Sequence, residues 1–106
     1  MPPATLTPVA HREMLNAART IAKDSLSAAR RLPDAVAAMA KRVGDFPMIG
    51  MERLDLAPRP YRIVAISGFP YVAIYDASFE PPMILRILHG AQDLQSILRD
   101  LPRQKR

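Results

Sequence analysis

Three short apolar runs in the second half of the chain, residues 61–66, 71–76 and 83–88, limit the possible folds more than any other feature. The segments joining them, Ser67-Gly68-Phe69-Pro70 and Ala77-Ser78-Phe79-Glu80-Pro81-Pro82, are turn clusters. Neither is long enough for a parallel crossover, so consecutive strands pair antiparallel. The third run, Ile84-Leu85-Arg86-Ile87-Leu88-His89-Gly90, holds one arginine inside an apolar strand and one histidine where the strand ends. A mid-strand arginine is costly unless it is paired or reaches an edge. Arg86 therefore has a structural partner, with Asp76 or a C-terminal carboxylate as the expected choice, or it has a function.

The first half reads as helices. Residues 4–7 form a short strand ending at Pro8. From there Val9, Leu15, Ala18, Ile21, Ala22 and Leu26 recur at helical spacing, with Arg12, Glu13, Arg19 and Lys23 on the other side. Thr7 caps this helix, with Pro8 at its first position. Ser25 or Ser27 caps a second helix, whose stripe is Ala28, Leu32, Val36, Met39, Ala40 and Val43, stopping at Gly44. Pro33 implies either a bend near Arg31-Leu32 or a late helix start. Two amphipathic helices with so short a joint make an antiparallel hairpin. Residues 45–60 are irregular, and a last short helix runs from Leu94 to Leu101, ending at Pro102.

Strand parity sorts the meander into two faces. Tyr61, Ile63 and Ala65 oppose Arg62, Val64 and Ile66; Tyr71, Ala73 and Tyr75 oppose Val72, Ile74 and Asp76. In the last strand Met83, Leu85, Ile87 and His89 oppose Ile84, Arg86 and Leu88, so that Arg86 and His89 do not converge. Both faces are largely apolar, and a helical hairpin covers only one. The other needs the last helix or another chain, which is a physical reason to expect a protein partner.

Composition narrows the class. A chain of 106 residues forms one domain, with a structured core over about residues 5–98 and a basic tail over 99–106. There is no cysteine, hence no disulfide framework or thiolate chemistry, as befits a cytoplasmic protein. Neither a signal sequence nor a membrane-length apolar run is evident. Two distant histidines, His11 and His89, make no metal site, and no cofactor is expected. The formal charge is +5, with 15 basic and 10 acidic residues. Scattered along the chain, that surplus suits an acidic protein partner at least as well as nucleic acid.

The run Tyr61-Arg62, then Tyr71-Val72-Ala73-Ile74-Tyr75, then Leu85-Arg86-Ile87-Leu88-His89-Gly90-Ala91-Gln92-Asp93 resembles the RelE/ParE superfamily of toxins from type II toxin–antitoxin modules. Asp45-Phe46-Pro47-Met48-Ile49-Gly50 is similar to the turn after that family's helix hairpin. The resemblance implies an α+β fold of order β-α-α-β-β-β, an antiparallel sheet with the hairpin on one face and a short C-terminal helix. One branch cuts messenger RNA on the ribosome, which would draw on Arg62 and Arg86 as cations and on His89 with Tyr71 or Tyr75 as proton carriers. The ParE-like branch blocks DNA gyrase without catalysis. Residues 8–31 hold one lysine and nothing aromatic follows Phe79, so the nuclease set looks incomplete and the ParE-like branch is favoured. An inert antitoxin-binding scaffold is the remaining alternative. The resemblance further implies a small antitoxin, ParD-like, with an acidic C-terminal segment, forming a hetero-oligomer with the toxin. Its expected contacts are Arg62, Tyr71, Tyr75, Arg86, His89 and Arg99, and free toxin is expected to be poorly soluble or self-associated.

Overall fold

The computed structural model describes residues 1–99 and Leu101. Its elements are β1 (Thr5–Leu6), α1 (Pro8–Ala22), α2 (Leu26–Asp45), β2 (Tyr61–Ala65), β3 (Tyr71–Asp76), β4 (Met83–His89) and α3 (Leu94–Leu98). The architecture is α+β, with the helical hairpin on one face of a four-stranded sheet of order β1-β4-β3-β2. The meander is antiparallel throughout, while β1 joins β4 in parallel through Thr5↔Met83 and Leu6↔Ile84. Where β2 meets β3, Phe69 N–H donates to Ile66 O, and Gly68 takes φ +86° at the turn position that disfavours any side chain. Among the described residues no helix is long and apolar enough to cross a membrane.

Local chemistry sets the helix ends. Thr7 caps α1 by accepting the Ala10 N–H at 3.1 Å, with Pro8 at the first helical position. Ser25, not Ser27, caps α2 by accepting the Ala28 N–H. The late start is not observed, because α2 begins at Leu26 and runs through Pro33 to Asp45. Pro33 itself lies on the exposed face of the helix.

The second helix buries its expected stripe, Leu32, Val36, Met39, Ala40 and Val43. The first does not. Val9 is 40% and Leu15 43% exposed, whereas Ala10 and Ala17 are buried. Small side chains let α1 lie close to β4, so the face against the sheet is the alanine face with Met14, Ala18 and Ile21 at its flanks.

The reverse of the sheet is closed by the chain itself. Tyr61, Ile74 and Leu88 pack with Ala57 of the α2–β2 connection and Leu98 of α3, and Leu56, Leu94, Ile97 and Leu101 complete the layer. The expectation of an apolar face requiring a foreign chain is therefore corrected. The last helix, short as it is, suffices because the 56–57 segment shares the work.

Packing predicts an uneven response to truncation. Leu32→Ala should cost about 2–5 kcal/mol, while Val9→Ala, on the stripe the periodicity favoured, should change stability by less than about 0.5 kcal/mol. Urea unfolding followed by circular dichroism checks both.

Candidate functional site

A β-bulge reorganises β4. Ile74 pairs with Arg86 but Tyr75 pairs with Ile84, leaving Leu85 as the extra residue. Parity inverts there, so Ile84 and Ile87 both face the helices while Leu85 and Leu88 both face the reverse layer. The simple alternation expected for this strand is thereby corrected. Beyond Ile84 the strand has lost β1 as a neighbour, and its outer edge must find other partners.

Side chains from the helical half supply them. The Thr7 hydroxyl donates to Leu85 O at 3.1 Å, one residue beyond the Thr7 N–H bond to Ile84 O. Glu13 of α1 then accepts the Ile87 N–H at 3.0 Å and, with the same carboxylate, Arg86 Nε at 3.0 Å and Nη2 at 2.8 Å. Arg86 is thus neutralised by Glu13, and neither Asp76 nor a C-terminal carboxylate serves. Asp76 instead accepts the Ser78 N–H and hydroxyl in the β3–β4 turn. The hydrogen bonds to Glu13 hold the Arg86 guanidinium above its ordinary pKa against the opposing effect of burial.

Alongside this pair runs a groove of about 630 Å³, walled by α1 and β4 and lined among others by Glu13, Asn16, Thr20, Tyr71, Arg86 and His89. Tyr71 and His89 face each other across β3 and β4, ring centroids 5.1 Å apart and edge to face. His89 also ends its strand by hydrogen bonding. Its N–H donates to Gln92 Oε1, its Nδ1 accepts the Ala91 N–H, and its carbonyl accepts the Gln92 N–H. Because Nδ1 is an acceptor, the ring proton sits on Nε2, a donor. Asp93 continues the motif by capping α3 through the Ser96 N–H. Arg86 and His89 do converge on this groove, contrary to the parity expectation, because the long Arg86 side chain reaches Glu13 of α1 at the edge of β4 that β1 leaves open.

Arg62 and Tyr75 form a separate arrangement. Tyr75 is 0% exposed; its hydroxyl donates to Pro47 O at 2.7 Å and accepts the Gly50 N–H at 2.9 Å. Arg62 Nη1 donates to Gly50 O at 2.7 Å and Met48 O at 3.2 Å. Together they latch the 47–50 loop to the sheet. Gly50 has no room for a β-carbon, which would meet the Tyr75 ring and hydroxyl at 2.7 Å. Burial pushes the Tyr75 phenol above its ordinary pKa, partly offset by the Gly50 N–H and the Arg62 charge. So placed, Tyr75 offers a partner no surface. Arg99 lies elsewhere again, beside Leu54–Pro58 and Gln95. His11 is a plain surface residue. Of the basic tail, Arg103, Lys105 and Arg106 lie outside the described residues, as does Pro102.

Sequence reasoning missed Glu13, set on the polar side of α1. The available signal was the alanine stripe: Glu13 lies three residues after Ala10 and four before Ala17, hence on the buried face.

An α+β domain whose hairpin leaves a polar, arginine-bearing groove along the last strand is a protein of the RelE/ParE architecture. The family described as ParE toxin of type II toxin-antitoxin system, parDE, matches residues 4–94, from β1 to the first residue of α3, and the chain belongs to that family. No curated protein matches the chain.

Two substitutions probe the geometry. Glu13→Ala removes the acceptor of both Ile87 N–H and Arg86 at a partly exposed site, and should cost about 1–3 kcal/mol, with Glu13→Gln costing less. Tyr75→Phe should cost about 1–3 kcal/mol at neutral pH by stranding the Gly50 N–H. The raised Tyr75 pKa adds stability that is complete below the free phenol's 10.0 and is lost as pH climbs from there towards the folded value. Urea midpoints measured from about pH 8 to about pH 11 should therefore fall less steeply above pH 10 in Tyr75→Phe than in the parent.

Proposed function

We propose that the chain acts as a ParE-like toxin, arresting DNA gyrase by protein–protein contact, and that an antitoxin silences it by laying an acidic C-terminal segment along the α1–β4 groove. The observation that carries this reading is that both cations a nuclease would need are already committed, Arg86 to Glu13 and Arg62 to the 47–50 loop. Arg86 and His89 share the groove, whereas Arg62 and Tyr75 are committed to the 47–50 loop, with the Tyr75 hydroxyl doubly hydrogen-bonded and buried. A 2′-hydroxyl attack wants base, cation and acid around one phosphate. Tyr71 and His89 stand together in the groove, but the Arg86 charge beside them is neutralised by Glu13.

What the groove does offer suits a peptide. Arg86 Nη1 makes no hydrogen bond among the described residues, and the His89 Nε2–H points its donor away from the Ala91 bond. Tyr71 supplies an apolar surface beside them, and Arg19 stands at the rim through its bond to Asn16. Donors backed by a ring and a positive rim favour carboxylates and main-chain carbonyls of an acidic segment that orders on binding. Gyrase and such an antitoxin would place the protein in the cytoplasm as part of a toxin–antitoxin hetero-oligomer. Residues 1–106 then act as one toxin domain, with Arg99, which lies away from the groove, available for the target.

Purified gyrase provides the test. Added toxin should abolish supercoiling, the antitoxin encoded beside it should restore supercoiling, and messages in a translation extract should stay intact. Unaffected supercoiling together with cleaved message would overturn the reading in favour of the ribosome-dependent nuclease. Asn16→Trp, which fills the groove from an exposed helix position, should weaken antitoxin binding at least about tenfold while changing stability by less than about 0.5 kcal/mol. Titration calorimetry measures the affinity.

A further inference from the structure

The loop after α2 is held firmly yet turns its largest side chains outward. Phe46 is 63% and Met48 65% exposed, although the backbone around them is fixed by Tyr75, Arg62 and the Phe46 N–H bond to Arg42 O. Rigid display of apolar side chains marks a contact surface. Beside them Pro47, Met48, Ala77, Phe79, Pro81 and Pro82 line a mostly apolar hollow of about 290 Å³. An apolar cavity of about 150 Å³ accommodates benzene, so this hollow admits a phenyl ring. Phe46 stands next to the hollow without lining it.

One patch thus carries both a projecting ring and a socket for one. A two-fold contact requires that combination, because each copy must present both halves. The charges agree. Asp45 is shared by Lys41 at 3.1 Å and by the Met1 ammonium, which also lines the socket, at 3.9 Å. Arg42, one turn before Phe46, and Glu80, on the wall of the socket, make no ion pair among the described residues. Opposite signs left open on the two halves of a patch are complementary to a second copy, despite the overall charge of +5. We infer that two copies of this chain associate through this face, Phe46 of each seated in the hollow between Pro47 and Pro82 of the other. In that contact Arg42 of one copy meets Glu80 of its mate. The inference stands apart from the groove and its antitoxin.

Sedimentation velocity on the purified chain tests it across a concentration series. A monomer–dimer equilibrium is expected, with Phe46→Asp raising the dissociation constant at least about tenfold. Arg42→Glu should weaken association and the double variant Arg42→Glu/Glu80→Arg should restore it, a readout that does not depend on an apolar-to-charged change. Leu26→Asp, at the far end of α2, should leave association unchanged, and circular dichroism melts verify folding. A chain monomeric at every concentration, a dimer indifferent to Phe46→Asp, or equal weakening by Leu26→Asp overturns the inference. So does a monomer whose Phe46→Asp form binds antitoxin less tightly, which would give the face to that partner.

Discussion

The carboxylate of Glu13 holds the helical half of the chain to the sheet at its most vulnerable line. The edge of β4 is exposed where β1 stops, and an unpaired edge N–H beside a half-buried guanidinium would be unfavourable twice over. One carboxylate meets both demands, accepting from Ile87 N–H and from two nitrogens of Arg86. The same contact fixes the separation of α1 from β4, and hence the width of the groove between them. A lone arginine in an apolar strand is therefore first a device for joining layers, and only through its Nη1, unbonded among the described residues, a group that can greet a partner.

A second polar anchor does the corresponding work at the opposite end of the sheet. Tyr75 and Arg62, paired across β2 and β3, reach the carbonyls of Pro47, Met48 and Gly50 and give an irregular loop a defined shape. The cost of burying a phenol is offset by two hydrogen bonds and a neighbouring cation. The two anchors divide the residues that a catalytic reading would have wanted in one place. Their separation gives the molecule two distinct surfaces, a polar groove along β4 and an apolar face around Phe46 and Phe79.

Much of this was legible beforehand where the relevant physics is local. Thr7-Pro8 and Ser25 announce helix starts through capping, Gly68 announces a turn, and strand lengths with short connections dictate an antiparallel meander. The motif Leu85–Asp93 carried the family resemblance, and in the structure its polar residues mostly build a turn: Gln92 and His89 bond each other, the His89 ring accepts the Ala91 N–H, and Asp93 caps α3 through the Ser96 N–H. Periodicity failed on α1 because it weighs large side chains, and the packed face there is made of alanines. It failed on β4 because a single inserted residue, Leu85, inverts parity without any glycine or proline to betray it.

By itself, then, the sequence determined the elements, their order, the antiparallel pairing of the meander and the membership of a toxin family, since each follows from spacing, caps and a contiguous motif. The parallel seat of β1 beside β4 belongs instead to the tertiary structure. Tertiary structure alone decided who partners Arg86, which face of α1 is buried, that α3 and residues 56–57 seal the reverse of the sheet, and that Arg86 and His89 share a groove. Those outcomes rest on contacts between residues as far apart as Glu13 and Arg86, 73 positions along the chain. No local pattern encodes such a meeting, because it comes into being only when two layers pack and an unpaired edge must find an acceptor.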